Sequence, residues 1–515
     1  MLPDDVALCH ALIGQLSGTV SEQQRRLAQL EHQLALLLRA HCGPRSEKVD
    51  PAQLALFETQ PSSEESAAES PAEGADSEQT IREHVRRGGG RQTLPADLPR
   101  KRVEHLLPAE QLPCPCCGKE RTKFGEEISE QLEFVPAALH VIEHVRFKYA
   151  CRYCQEHVVV AEKPPQPIDK GLPGPGLLAA IITSKFGDHL PLYRLEDIFA
   201  RHGVELSRST MCGWLKQTAR LLLPLHDLMR RLVLRSRVIH TDDTKVPVLD
   251  ADLPHVRNSR FWVYVGDELH PYVVFDYTRS RERDGPAQFL AGYEGYVQAD
   301  AFSAYDGIYA GSSGKIVEVG CWAHARRKFF DLKEQSPRLA HEALARIGKL
   351  YELERELKKW CATDWQELPL AERWSKIAAA RQEHALPQLS ALRTCLDAAA
   401  QETLPKSPIR QAINYALNQW DALNRYCEQG FLAIDNNAAE RAVRPCAVGR
   451  KNWLFCGNDD GGRTAAILFT MTSTAKRSGL DPFAWLRDVL TRLPRLQAAS
   501  GGRVPDELLT PLLPN

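Results

Sequence analysis

The sequence predicts an α+β protein of several domains, in which a mixed α/β core is interrupted by an all-helical insertion and preceded by smaller modules. Three observations predict this. A chain of 515 residues exceeds the roughly 250 to 300 at which single hydrophobic cores stop growing. From Arg237 to Phe330, short β-branched runs alternate with helix-like ones. From Lys333 to Leu432 the apolar residues follow helical spacing throughout, most clearly in "KLYELERELKKW" and "SPIRQAINYALNQWDALNRYCEQG".

Composition bounds the class. Hydrophobic residues make up 43% and charged residues 25%, as in ordinary globular proteins. No apolar run approaches the roughly 20 residues needed to cross a bilayer. The opening "MLPDDVALCH" lacks the basic start and apolar core of a signal peptide. A cytoplasmic, reducing setting without a membrane partner follows, so the 14 cysteines are read one by one and not as a disulfide framework. The net charge of −1 hides opposed segments. Glu58 to Glu78 carries seven acids and no base, whereas Arg82 to Arg102 and Arg441 to Arg477 each carry seven bases against two acids. Phosphate contacts act within a Debye length of about 10 Å, so these local patches decide whether nucleic acid is a partner.

In chain order, Val6, Ile13, Val20, Leu27 and Leu34 recur every seventh residue, with Cys9, Leu16, Gln23, Leu30 and Leu37 three positions later. One isolated helix cannot bury such a seam, so residues 1–57 are read as a coiled-coil oligomerisation region; packing against the rest of the chain is the alternative. Residues 58–81 have almost nothing to bury and form an acidic, disordered linker. Residues 82–112 form a basic arm punctuated by Gly and Pro, with Arg86, Arg87 and Arg91 available to phosphates, unless it is further linker.

Residues 113–160 carry two C-x2-C pairs, Cys114 with Cys117 and Cys151 with Cys154. Each pair presents two thiolates to one tetrahedral zinc, which makes structural Zn2+ the expectation and a redox pair the alternative; Cys116 is a bystander. Residues 170–235 are helical. Gly203 is placed to end the second helix, Ser207 or Ser209 to cap the third, and Arg208 and Lys216 give that helix the look of a helix-turn-helix DNA reader. A plain helical bundle fits the same pattern.

Residues 236–332 read as a three-stranded antiparallel meander, a helix, a fourth strand ending near Asp300, a fifth strand and the basic helix "CWAHARRKFF". The order β-β-β-α-β-α-β-α is that of the ribonuclease-H-like fold, in which the first and fourth strands are neighbours. The acidic pair Asp242–Asp243 and Asp300 would then converge. Residues 333–432 are the helical insertion, 433–478 the second part of the core, and 479–515 a C-terminal helix and tail.

In "AIDNNAAERAVRP", Asn437, Glu440, Arg441 and Arg444 fall along one helical face, starting after Asp435 or Asn436 and ending by Pro445. Glu440 is either a surface salt-bridge partner of Arg444 or a third metal-binding carboxylate. Phosphodiester chemistry needs an activated oxygen nucleophile and a stabilised leaving oxygen. Two Mg2+ (or Mn2+) ions about 4 Å apart, held by a few carboxylates, supply both. Arg326, Arg327 and Lys328, with Arg441, Arg444, Arg450 and Lys451, are expected to meet DNA phosphates. Cys321 and His324 have metal-like spacing without a second pair and are read as structural. His240 is read as a packing or supporting residue, and Trp453 as core or as a stacking surface.

"HTDDTKV", "VQADAFSAYDGIY", "CWAHARRKFF", "IDNNAAERAVRPCAVGRKNWLFCG", "RSEKVDPAQLALF" and "LDPFAWLRDVL" resemble, in order, signatures of the insertion sequence 66 family of bacterial transposases, over nearly the whole chain. The resemblance selects Asp242 over Asp243 and implies a catalytic triad of Asp242, Asp300 and Glu440. It also implies zinc on the four cysteines named above, double-stranded DNA (transposon ends and target) as partner, and accessory proteins of the same element. The predicted protein is a nucleoid-associated, Mg-dependent transposase that cleaves DNA and transfers the strands. A catalytically silent relative acting as a DNA-binding repressor is the alternative. Asp243 stands where this family more often has Glu, and "HCGPRSEK" lacks the family's usual approach to that SEK.

Overall fold

The computed structural model describes residues 165–514 except 170, 251, 254 and 303, together with a few isolated earlier positions. The coiled-coil region, the linker, the arm with Arg86, Arg87 and Arg91, and Cys114, Cys117, Cys151 and Cys154 lie outside the described residues. Within the cysteine-bearing segment, Lys148–Tyr149 pairs antiparallel with Val159–Val160, two strands that bracket the second C-x2-C in sequence.

Three helices precede the sheet: α1 (Pro175–Ile182), continued by a wide turn at Thr183–Gly187, α2 (Leu192–Arg201) and α3 (Arg208–Val233). Gly203, at φ +77°, follows the end of α2, and the Ser207 hydroxyl accepts the Thr210 N–H to cap α3. α3 buries Met211, Leu215, Leu222, Leu225 and Met229 along one stripe, in the same apolar core that covers the sheet.

The sheet has five strands: β1 (Val238–Val248), β2 (Arg257–Val265), β3 (Val273–Thr278), β4 (Gly295–Gln298) and β5 (Ile316–Val319). Helix α4 (Asp284–Phe289) precedes β4, α5 (Asp306–Gly311) precedes β5, and α6 (Trp322–Phe330) follows it. The spatial order is β3-β2-β1-β4-β5; the first three strands form an antiparallel meander, and β4 and β5 run parallel to β1. The antiparallel meander and the neighbouring of β1 and β4 follow the expectation from the sequence.

The segment after α6 is helical, as expected: α7 (Pro337–Ala362), α8 (Leu370–Glu402), α9 (Pro408–Asn418) and α10 (Trp420–Asn424). These helices share a second apolar core with Val319 at the end of β5 and with Trp322 and Phe329 of α6. Arg381 of α8, only 3% exposed, locks this block. Its guanidinium donates to both Glu354 carboxylate oxygens at 2.8 Å and to the carbonyls of Tyr426, Gln429 and Leu432 at 2.8 to 3.1 Å. Gly430 lies in the same turn, where a Cβ would run into the Trp374 backbone. The chain therefore leaves the insertion in one fixed direction.

It enters α11 (Asn437–Trp453), followed by α12 (Asp459–Arg477), α13 (Pro482–Ala499) and α14 (Asp506–Leu509). The expected end of α11 at Pro445 is wrong, since the helix runs two further turns beyond it. An interior proline costs roughly 3 kcal/mol. The stripe Ala439, Val443, Cys446 and Gly449, buried on both sides of Pro445, offsets that cost, and Arg441, whose carbonyl loses its partner, is exposed to water. α12 covers edge strand β3: Thr470 accepts the Phe275 N–H at 2.8 Å and Thr474 the Val273 N–H at 3.1 Å.

Replacing Arg381 with Met leaves the Glu354 carboxylate and three carbonyls without their donor. A loss of about 3 to 5 kcal/mol is expected, with partial recovery when Glu354 is also made Met. A fall in urea midpoint for the single variant, and its partial return in the double, checks this; an unchanged midpoint contradicts it.

Candidate active site

The parallel pairing of β1 with β4 joins Val238 to Tyr296 and His240 to Gln298. Asp242 follows His240 by two residues on β1, and Asp300 follows Gln298 by two, just past the end of β4. Side chains alternate along a strand, so His240 and Asp242 of β1 face one side, and the charge of Asp300 reaches Asp242. Thr241 and Asp243 face the other. There Thr241 bonds the Tyr305 hydroxyl at 3.0 Å, and the Asp243 carboxylate is held by Arg260 and Arg281, each at 2.8 Å.

α11 is docked on the His240 side by Asn436, which is 1% exposed. Its Nδ2 donates to the Thr241 carbonyl at 2.8 Å, its backbone N–H donates to Cys321 Sγ at 3.2 Å, and its Oδ1 lies 3.3 Å from His240 Nδ1. Burial pushes the His240 imidazole down to about 4, so the ring is neutral and donates from Nδ1 to the Asn436 oxygen. Asp435 completes the joint: its carboxylate accepts the backbone and side-chain N–H groups of Asn437, at 3.1 and 2.7 Å, and the Tyr351 hydroxyl at 3.1 Å. Asn437, expected at phosphate, is thus engaged with Asp435.

Glu440, one turn into α11, belongs to the same electrostatic cluster. Burial, then the negative charges of Asp300, Asp243 and Glu440, push the Asp242 carboxyl up to about 7, against a lowering hydrogen bond from the Asp243 N–H. Asp300 is also raised, by burial first, while His324 and Arg281 pull it back. The side chain beside Glu440 is His324, with Nδ1 3.7 Å from Oε1, and no ion pair of Glu440 with Arg444 forms among the described residues. Cys321 and His324, read from sequence as structural, join Glu440 in one cluster, with one ligand atom from each within 4.8 Å of the others. The C-x2-H spacing was visible; its third member, more than a hundred residues on, was not.

The basic residues divide. Arg441, Arg444, Lys451, Arg327 and Lys328 are exposed, although Lys328 also sits over the Tyr415 ring at 4.4 Å and Arg326 lies 5.7 Å from the Phe330 ring. Arg450 turns inward to Thr244 Oγ1 at 3.2 Å and to the Lys245 carbonyl, tying the far half of α11 to β1. Arg208 pairs with Glu196 at 3.1 Å and Lys216 with Asp460 at 2.7 Å. Trp453 is half-buried against Lys185, and the apolar groups at that tip most open to solvent are Leu454 and Phe455. No helix among the described residues is long and apolar enough to cross a membrane.

Comparison with known proteins agrees along the chain. Residues 170–464 match the family described as transposase IS66 family, and 112–155 match the zinc-finger binding domain of transposase IS66, a span that contains all four paired cysteines. Residues 29–103 match a family described as transposase C of IS166 homeodomain, and 470–501 the IS66 C-terminal element. Among relatives from Sinorhizobium fredii, uncharacterized protein y4jD is 33% identical, with 97% of this chain and 96% of the relative covered. Uncharacterized protein y4qI is 34% identical over 95% and 90%, and uncharacterized protein y4hP 32% identical over 91% and 86%. The chain belongs to the IS66 family of transposases.

Proposed function

We propose that this transposase works by DDE chemistry on a ribonuclease-H-like core. Asp242, Asp300 and Glu440 hold two Mg2+ or Mn2+ ions, and the chain frees 3′-hydroxyls at the terminal repeats of its element and joins them to target DNA. The observation that carries this reading is the set of three carboxylates from β1, the loop just past β4 and the start of α11, close enough that the charges of Asp300 and Glu440 add to burial in raising the Asp242 pKa. A strand order of β3-β2-β1-β4-β5, with helices after β3, β4 and β5, supports the fold assignment.

The donor set fits the ions. Hard cations take carboxylate oxygens, and three acids that repel one another form a site a divalent charge relieves. Bound there, the ions would lower the pKa of an attacking oxygen and stabilise the leaving one. Asp242 holds its oxygens on β1, fixed by the sheet, and Asp300 lies just past the end of the neighbouring β4. Glu440, on a helix held by Asn436, closes the third side. Arg441, Arg444 and Lys451, with Arg326, Arg327 and Lys328, meet the phosphates that flank the scissile bond, while Arg450 keeps α11 seated. Arg86, Arg87 and Arg91 of the arm add contacts farther along the duplex. The helical segment 170–235 recognises the ends together with a zinc module held by Cys114, Cys117, Cys151 and Cys154. Pairing through residues 1–57 brings two ends together, and accessory proteins of the element assist.

Changing Glu440 to Gln removes a charge while keeping shape. Joining of a pre-cleaved end in Mg2+ is expected to fall by about 1,000-fold or more, while binding of the end changes little. Undiminished joining removes Glu440 from the reaction. Absence of joining by the unaltered protein with its accessory proteins present points instead to a silent DNA-binding repressor.

A proton competes with the ion at Asp242. Its folded-state pKa of about 7 lies above the ordinary carboxylate value, so protonation rises as pH falls through 7. The Mg2+ needed for half-maximal joining is expected to rise roughly tenfold between about pH 8 and about pH 6. A requirement that does not change with pH rejects the assignment.

A further inference from the structure

We propose that Cys321, His324 and Glu440 form a second metal site, which takes an ion of the zinc class and thereby withdraws Glu440 from joining. The second half of this inference rests on the role proposed above for Glu440; the first half does not.

The three side chains come from two elements far apart in sequence and bring one sulfur, one nitrogen and one oxygen within 4.8 Å of one another. His324 Nδ1 is buried and has no hydrogen-bond partner, although Glu440 Oε1 stands 3.7 Å away. Donors on one tetrahedral zinc are separated by roughly 3.3 to 3.6 Å, as bonds of about 2.0 to 2.3 Å require, so closure needs only small side-chain movements. Cys321, 2% exposed, forms the floor, and the side chains of His324 and Glu440, 38% and 41% exposed, form the rim through which an ion enters.

Burial pushes the Cys321 thiol up to about 12, so it is protonated in the ion-free chain; behind the sulfur the Asn436 N–H donates at 3.2 Å, an outer contact that opposes that rise and orients the sulfur for an ion. Binding exchanges the thiol proton, released to solvent, for the metal–sulfur bond. Sulfur and imidazole nitrogen select a borderline-soft ion, whereas Asp242 and Asp300 offer oxygen alone, which suits Mg2+. The two sites therefore sort ions by chemistry while sharing Glu440. A zinc ion on Cys321 and His324 binds the Glu440 oxygen and removes it from the carboxylate cluster.

The test uses the full-length protein and its variants Cys321→Ser, His324→Gln and Glu440→Gln. Serine keeps an acceptor for the Asn436 N–H, and Glu440 lies on a different element from the other two, so a folding defect in one variant does not decide the outcome. After equilibration with zinc and removal of excess, the unaltered chain is expected to hold one more zinc than each variant. Each variant is expected to bind that ion more than roughly tenfold more weakly. Equal zinc content in all four proteins overturns the site. In Mg2+, added zinc is expected to suppress joining by the unaltered chain and to have much less effect on joining by Cys321→Ser, each compared with its own zinc-free rate. Equal suppression of both overturns the withdrawal of Glu440. If the zinc counts differ while the unaltered chain joins no DNA at all, the metal site stands and the joining role of Glu440 falls.

Discussion

The amide of Asn436 is the joint on which this arrangement depends. It is buried, its side chain bonds to β1 and its backbone N–H to Cys321, and each contact fixes one approach: Thr241 sets the distance to β1, His240 the orientation, and Cys321 the closeness of α6. A buried amide that loses a partner costs about 1 to 3 kcal/mol, so the three contacts reinforce one position of α11 over its alternatives. That position puts Glu440 beside two aspartates almost two hundred and one hundred and forty residues earlier. The insertion between them is tolerated because loop closure grows only slowly with length. Its helices also return the chain to a defined exit, held by Arg381 on the carbonyls of Tyr426, Gln429 and Leu432.

β1 divides its two faces between structure and charge. Asp243, neutralised by Arg260 and Arg281, is a partner in packing. Asp242, one residue earlier, has like-charged neighbours, and burial with those charges raises its pKa. Because the folded-state pKa lies above the unfolded value, the folded chain binds more protons than the unfolded chain between roughly pH 4 and pH 7, and the ion-free site costs stability as pH rises through that window. A strained electrostatic arrangement of this kind persists because the surrounding sheet, α11 and the insertion hold it in place.

How much of this was legible in sequence follows from how local each signal is. The five strands announced themselves through β-branched runs, and the helical insertion through its spacing. Ser207 and Gly203 marked helix ends because caps are short-range devices. α11 was misread at Pro445 because a local rule met a buried stripe on both sides of the proline, and packing prevailed. Arg450 read as a phosphate contact because sequence shows its charge and not the Thr244 hydroxyl and Lys245 carbonyl it reaches. The choice between Asp242 and Asp243 rested on family likeness, and only the pairing of β1 with β4 supplies a geometric reason. Cys321 and His324 show their spacing in sequence, but the third member of their cluster, Glu440, comes from another element and only the fold brings it there.

The mixed character of that last cluster bears on how an exposed acid keeps its place. Glu440 is the one member of the proposed triad borne on a helix, and its side chain is 41% open to solvent, so neither sheet hydrogen bonding nor close packing restricts it. What restricts it is the position of α11 and the imidazole of His324. A carboxylate held this loosely can serve an ion between itself and the aspartates, or one between itself and Cys321 with His324, but a given oxygen lies nearer one than the other. The physical distinction between the two sites is the hardness of their remaining donors. Oxygen ligands on one side and nitrogen with sulfur on the other make the local metal supply, and not a rearrangement of the fold, the variable that decides where Glu440 is used.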